Sequence, residues 1–162
     1  MPKIINKDKV VDDKWQVLPK NYSGDLPQGQ LSLVPLQYWL DNEEEIRIPV
    51  MGLWIDSDED IEPLGEKANM FPVIAVNFPS FTDGRGFSTG RLLRERYGFT
   101  GQLRAIGNPT RDQLFYLKRC GFDAFDLRKD TDLEEALASL QDFSVTYQNS
   151  VDQKDPLFRR NK

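Results

Sequence analysis

The fold is decided by residues 73–127, which read VIAVNFPSFTDGRGFSTGRLLRERYGFTGQLRAIGNPTRDQLFYLKRCGFDAFDL. The runs Val73–Phe78 and Leu103–Ile106 are short and apolar, and each is followed by a stretch in which apolar residues recur at helical spacing. The runs Val50–Ile55 and Ala124–Leu127 repeat the pattern on either side. Strands that alternate with helices in this way are typical of βαβ units and a parallel sheet. We predict an α/β fold with a mostly parallel sheet of about four βα units, arranged as an open sheet or a half-barrel.

Four helices are predicted after these strands, over residues 58–69, 88–97, 109–120 and 132–143. Ser88 is expected to cap the second helix and Asn108 the third, and Gly121 suits the left-handed position that ends the third. Thr131 and Glu134 match a capping box before the fourth. The expected core residues are Leu53, Val73, Ile74, Val76, Leu93, Leu103, Ile106, Leu114, Leu117, Phe125 and Leu137.

The chain divides by composition into three segments, residues 1–48, 49–145 and 146–162. The first is expected to be a β-rich N-terminal arm, with a hairpin formed by residues 3–6 and 10–17 and a short helix within residues 31–42. The second is the α/β domain. The third is polar and ends DPLFRRNK, so we expect a flexible tail.

Composition excludes several classes of function. The chain of 162 residues has no histidine and one cysteine, Cys120. Histidine-dependent nucleophilic pairs, histidine metal sites and disulfide frameworks are therefore excluded. The sequence contains no apolar run of about 20 residues, which a membrane span needs, and no apolar segment typical of a secretory signal. We expect a cytoplasmic protein that binds no membrane.

Charge is distributed unevenly along the chain. Residues 81–120 contain eight Lys and Arg against three Asp and Glu, a balance of +5, although the whole chain carries −5. A basic segment within an acidic protein indicates that it holds an anion or docks an acidic partner. Nucleic acid is a poor candidate, because the protein is acidic overall and no nucleic-acid-binding motif accompanies the segment.

The segment Asp83-Gly-Arg-Gly-Phe-Ser-Thr-Gly90 has two interpretations. Two glycines before a helix, with Arg85 between them, are typical of an oxyanion site. The alternative is a structural turn in which Asp83 pairs with Arg85 and Gly90 allows close packing of the helix on the sheet. The candidate residues for anion or partner binding are Gly84, Arg85, Gly86, Ser88, Arg91, Arg94, Asn108 and Arg111.

Catalytic and cofactor sites are weakly indicated. Asp83 and Asp112 are the only acid–base candidates near the proposed anion. Residues 56–60 are acidic, but Ile61 and Lys67 stand where a calcium loop needs glycine and glutamate, so no metal site is predicted. The glycine spacing matches neither a P-loop nor a dinucleotide fingerprint, and we expect no bound cofactor.

The strings DGRGFS, RLLRERYGF, DQL and RCGFDAF, in this order, resemble a bacterial family called domain of unknown function 934. The resemblance covers most of the chain and is strongest over residues 72–127. Members of that family carry the label of an oxidoreductase of sulfite reduction, which rests on genes lying near the assimilatory sulfite reductase. The resemblance therefore implies a link to sulfite reduction, and it brings no catalytic residues with it.

Two functions remain open. The first is an accessory protein of assimilatory sulfite reduction that binds the reductase or its electron donor and performs no redox chemistry itself. The second is an enzyme or sensor of sulfur assimilation that binds a small oxyanion through the DGRGFS segment. The sequence alone does not decide whether the protein is an enzyme.

Overall fold

The computed structural model describes residues 2–43, 51–80 and 84–146, with side chains as far as residue 141. The strands are β1 (Lys3–Asn6), β2 (Lys9–Asp12), β3 (Trp15–Val17), β4 (Leu31–Pro35), β5 (Met51–Ile55), β6 (Val73–Phe78), β7 (Gln102–Gly107) and β8 (Ala124–Phe125). The α-helices are α1 (Leu36–Asp41), α2 (Arg85–Glu95), α3 (Leu114–Arg119) and α4 (Leu133–Thr146), and Gly65–Met70 and Arg111–Gln113 are 3₁₀ helices. The predicted flexible tail lies outside the described residues, apart from Thr146 at its start.

The eight strands form one sheet in the order β2-β1-β8-β7-β6-β5-β4-β3. Strands β3 to β8 pair in parallel, in chain order, and β1 pairs antiparallel with both β2 and β8. The sheet is therefore mixed and curls into a half-barrel. This corrects the expectation of a mostly parallel sheet, because the N-terminal hairpin joins the same sheet beyond β8. The count of about four βα units is not confirmed.

The two edge strands are close to each other at one corner, although they stand at opposite ends of the strand order. Only Asp13 and Lys14 separate β2 from β3, so the Cα atoms of Asp12 and Trp15 are at most about 11 Å apart. From the middle of β7, Arg104 donates a hydrogen bond to the Asp13 carboxylate across 2.8 Å. Both side chains are nearly buried, at 4% and 9% exposure. The connection between the edge strands is thus attached to the centre of the sheet.

Alternation along the strands separates two apolar faces. The helix-side face carries residues such as Leu53 and Ile74, and the inner face carries residues such as Trp54 and Ala75. Because both faces are covered, the strands are apolar almost throughout. All the predicted core residues are buried.

Two helix predictions in the first half of the chain hold over only part of their range. Residues 31–42 form strand β4 followed by the short α1, because Leu31–Pro35 pairs with both β3 and β5 and Pro35 is extended. Residues 58–69 yield only the 3₁₀ helix Gly65–Met70. Gly65 has a φ of +52°, a conformation that interrupts a right-handed helix.

The starts of the later helices also differ from the prediction. Helix α2 begins at Arg85, so Ser88 lies inside it rather than capping it. The 3₁₀ helix Arg111–Gln113 and α3 together form the third helical segment. Thr110 and Gln113, not Asn108, form the capping box at its start. Asp132, rather than Thr131, accepts a hydrogen bond from the Glu135 amide at the start of α4.

The end of the third helical segment is confirmed. Gly121 has a φ of +104°, directly after the last turn. A side chain there would be strained and would also meet the aliphatic part of Arg94.

Candidate functional site at the carboxyl ends of the strands

The carboxyl ends of the parallel strands bring four polar segments to one edge of the sheet. Asp56 follows β5, Asn77 lies near the end of β6, Asn108 follows β7 and Arg128 lies shortly after β8. In α/β sheets this edge is where ligands bind, because the loops there converge while the strands fix their positions. We call it the carboxyl edge and the opposite end of these strands the amino edge.

Asp56 is the centre of one polar cluster on the carboxyl edge. Its carboxylate accepts hydrogen bonds from Lys20 Nζ at 2.9 Å, from Asn77 Nδ2 at 3.0 Å and from the Ser57 amide at 2.8 Å. Burial opposes ionisation of Asp56, but these donors together hold its pKa below the ordinary value. The hydrogen bond to Asp56 raises the pKa of Lys20. The pair is therefore charged at neutral pH.

Arg85 approaches the same cluster from the start of α2. Its guanidinium lies 3.4 Å from the Ser57 hydroxyl oxygen. This contact connects the beginning of α2 to the loop that follows β5.

A second polar group surrounds a shallow open depression of about 290 Å³. Its lining is contributed by the segments after β6, β7 and β8: Pro79, Ser80, Asn108, Thr110 and Arg128. Asn108 Nδ2 donates to the Pro79 carbonyl at 3.2 Å, and the Arg128 amide donates to the Pro109 carbonyl at 3.2 Å. Hydrogen bonds thus connect the three segments around the depression.

Gly107 allows the sharp turn between β7 and this depression. Its φ is +93°, and a Cβ there would lie 2.6 Å from the Phe78 carbonyl oxygen. A larger residue would displace the backbone of β6 and the loop after it. Glycine at this position therefore keeps the ends of β6 and β7 side by side.

Residues 84–88 of the DGRGFS segment form the N-cap and first turn of α2 rather than a loop. Gly84 is the exposed N-cap residue, and Ser88 is exposed one turn later. Gly86 is buried, and a Cβ on it would lie 2.6 Å from the Phe78 ring. Gly90 packs in the same way against the Phe122 ring. Close packing on the sheet therefore accounts for Gly86 and Gly90, while Asp83 lies outside the described residues.

Arg94 lies at the amino edge, away from Arg85. Its guanidinium donates to the carbonyls of Gly121, Phe99 and Gly101, each at 2.8 Å, and lies 3.4 Å from the Asp123 carboxylate. Burial lowers the pKa of Arg94, which the Asp123 carboxylate counteracts. These contacts join the end of α2 to the segments that enter β7 and β8.

The other predicted residues are distributed over α2 and the third helical segment. Arg91 lies 3.6 Å from both the Cys120 sulfur and the Glu95 carboxylate. Arg111 pairs with Glu135 of α4 at 2.6 Å, and Asp112 is exposed. The structure thus brings Arg85, Asn108 and Arg111 to the carboxyl edge and leaves Arg94 at the other end.

A set of residues at the carboxyl edge was not named among the candidate site residues: Lys20, Asp56, Ser57, Asn77, Ser80, Thr110 and Arg128. Two of them had a signal. Asn77 is the one polar residue in the run VIAVNF, and Asp56 is the first residue after an apolar strand. No local pattern distinguished Lys20, because only the position of β3 in the sheet brings it to Asp56.

Within the described part of the chain, no three potential ligand side chains come together as a metal site. No helix there has the length and apolar character needed to cross a membrane.

Comparison with known proteins supplies the family. The model of a family described as bacterial proteins of unknown function, domain of unknown function 934, matches residues 52–158. The chain belongs to this family. The match confirms the resemblance seen in the sequence and covers every element from β5 to α4 except the first residue of β5. No curated protein and no solved structure matches the chain.

Proposed function

We propose that the protein is an accessory component of assimilatory sulfite reduction that docks on sulfite reductase or on its acidic electron donor. It performs no redox chemistry of its own. The family label supplies the pathway, and the surface of α2 and α3 supplies the docking site. The observation that carries the proposal is the exposure of apolar side chains among the arginines of these two helices.

We call this surface the basic helix face and define it by Arg85, Ser88, Arg91, Leu92 and Tyr116. Leu92 and Tyr116 are 40% and 48% exposed, and they are two of the four large exposed apolar side chains among the described residues. Arg85, Ser88 and Leu92 follow one another at helical spacing along α2. Tyrosine and arginine are enriched at the centres of protein interfaces.

The charge of this surface favours an acidic partner. It belongs to the segment with a balance of +5 in a chain of −5. Arg85 and Arg91 lie on it, but the guanidinium of Arg94 is held by backbone carbonyls at the amino edge. Positive charge around exposed apolar side chains steers an acidic protein and orients it on contact.

The chemistry of the chain favours an accessory role over catalysis. The chain has no histidine. Cys120 is 1% exposed, and burial raises the pKa of its thiol, so the reactive thiolate is disfavoured. The carboxylate of Asp56 is already held by three donors.

Titration of the purified protein with purified sulfite reductase, and separately with the electron donor, tests the proposal. We expect saturable binding to one of them that weakens as salt rises. Arg91→Glu should weaken binding about ten-fold or more, because it reverses a charge within the interface. Leu92→Ser should weaken it several-fold, whereas Met70→Ser, which removes an even more exposed apolar side chain elsewhere, should leave it unchanged. Absence of binding to both proteins would refute the proposal.

A second candidate function is a small-oxyanion-binding enzyme or sensor of sulfur assimilation. The depression at the carboxyl edge favours it, because an arginine and several hydrogen-bond donors line that depression.

A further inference from the structure

We propose that the depression between the ends of β6, β7 and β8 is an oxyanion site in which Arg128 supplies the cation and Asn108 a hydrogen-bond donor. The ligand class is a small oxyanion such as sulfate, sulfite or phosphate, either free or as the terminal group of a metabolite. The site deepens the second candidate function and does not depend on docking to a partner protein. It shares Asn108 with the anion site predicted from the sequence but excludes the start of α2, which that prediction also included.

Among the described residues, the side chains that line the depression present donors and no carboxylate. Its lining is Pro79, Ser80, Asn108, Thr110 and Arg128. The nearest acid known to contact Arg128 is Asp130, at 3.5 Å, and both side chains of this pair are more than half exposed. An exposed pair of that length is weak, so the guanidinium retains most of its capacity to bind an oxyanion.

Asn108 contributes both structure and chemistry. One of its two amide hydrogens is donated to the Pro79 carbonyl, which leaves the second for a ligand. Its backbone amide donates to the Phe78 carbonyl at 2.8 Å. Asn108 is therefore held in position before any ligand arrives, which lowers the entropic cost of binding.

The size of the depression fits a small ion better than a cofactor. Its volume of about 290 Å³ is just below the range of about 300–1,000 Å³ for ligand pockets. Because it is open to solvent, an oxyanion attached to a larger molecule would also fit, with the remainder of that molecule outside.

Titration of the protein with inorganic sulfate, inorganic phosphate and methyl phosphate, followed by amide chemical shifts in NMR, tests the site. We expect saturable shifts at the ends of β6, β7 and β8. Arg128→Ala should weaken binding about ten-fold or more. Lys129→Ala, which removes the same charge from the neighbouring exposed residue, should change it less than about three-fold. Equal losses in the two variants would overturn the proposal, since they would indicate diffuse positive charge.

Asn108→Asp provides a second test that keeps the side chain almost the same size. The substitution replaces the donor by a carboxylate, so anion binding should fall about ten-fold or more. A melting curve identifies any loss of folding, and Arg128→Ala then decides the matter. Binding that Arg85→Ala abolishes and Arg128→Ala does not would overturn the proposal and place the anion at the start of α2. Absence of saturable shifts with all three probes would also overturn it. Binding of methyl phosphate as well as the free ions would support the site and show that it accepts attached oxyanions.

Discussion

The two ends of the parallel strands use arginine for opposite purposes. At the amino edge, Arg94 is enclosed and donates to three carbonyls, and it connects the entries of β7 and β8 to α2. At the carboxyl edge, Arg85 and Arg128 are exposed, and their guanidinium groups lie 3.4 Å from the Ser57 hydroxyl and 3.5 Å from the Asp130 carboxylate. The basic segment recognised in the sequence therefore contains both enclosed and exposed arginines. Position relative to the strand ends distinguishes them.

The sharpest test of this comparison is truncation of one arginine at each edge. Arg94→Ala should lower the free energy of unfolding by about 3 kcal/mol, because three carbonyls and the half-buried Asp123 lose their donor. Arg85→Ala should lower it by less than about 1 kcal/mol. Urea denaturation of both variants measures the difference. Similar losses for the two would show that the start of α2 is as structural as its end.

The glycines at the start of α2 separate packing from ligand binding. Gly86→Ala and Gly90→Ala should each destabilise the protein by about 1–3 kcal/mol, because the added Cβ meets the Phe78 or Phe122 ring. Gly84→Ala should be tolerated, since it has right-handed φ and its nearest neighbour to a Cβ, Phe87, is 4.0 Å away. Thermal unfolding of the three variants provides the measurement. A Gly84→Ala variant as unstable as the others would contradict this packing scheme.

Asp56 tests whether the carboxyl edge also stabilises the fold. Asp56→Ala removes the acceptor of three hydrogen bonds and should cost about 1 kcal/mol, whereas Asp58→Ala, which lies 3.4 Å from the same Lys20, should cost less. Because the pKa of Asp56 is lowered in the fold, its contribution is present above the ordinary value of 3.8. It is lost as pH falls through the lower folded value. Denaturation at several pH values should show this loss in the parent protein and not in Asp56→Ala.

Asp126 should show the opposite dependence on pH, with a smaller effect. Burial raises the pKa of Asp126, and the nearby Asp13 raises it further, against the opposing charge of Arg104. A raised pKa favours the fold below the unfolded value of 3.8, and this contribution is lost as pH rises through the folded value. Asp126→Asn should therefore stabilise the protein slightly at neutral pH, by less than about 1 kcal/mol. Destabilisation at neutral pH would indicate that the charged carboxylate is needed.

The bounds of a strand could be predicted where an apolar run ends at loop residues. Which strands pair with each other, and in which register, could not. Val73–Phe78 matches β6 residue for residue, because Pro72 and Pro79 bound it. The pairing of β1 with β8 could not be read from the sequence, since no local signal links residues more than a hundred positions apart. The start of α2 was misplaced for a different reason. Glycines are typical of loops, but here Gly86 and Gly90 lie inside the helix and leave room for the Phe78 and Phe122 rings that pack against it.

The sequence predicted some residues of the candidate site and not others. Ligands on α/β sheets bind at the carboxyl ends of the strands, and Asn108, a predicted binding residue, lies there. Lys20 and Arg128 acquire their partners only when β3 and β8 take their places in the sheet, so neither had a recognisable motif. Arg94 was placed with Arg85 because helical spacing was considered without the carbonyls at the entries of β7 and β8.

The pairing of β1 with β8 also orders the events of biosynthesis. Ile5 lies opposite Phe125 and Asn6 opposite Ala124, so β1 leaves the ribosome long before β8, the strand with which it pairs. The β1–β2 hairpin is local and forms early, but its apolar residues Ile4 and Ile5 remain uncovered until residue 125 has emerged. Nascent chains therefore carry the unpaired apolar edge of β1 until β8 has emerged, and chaperones that bind such edges are expected to act on them in that interval.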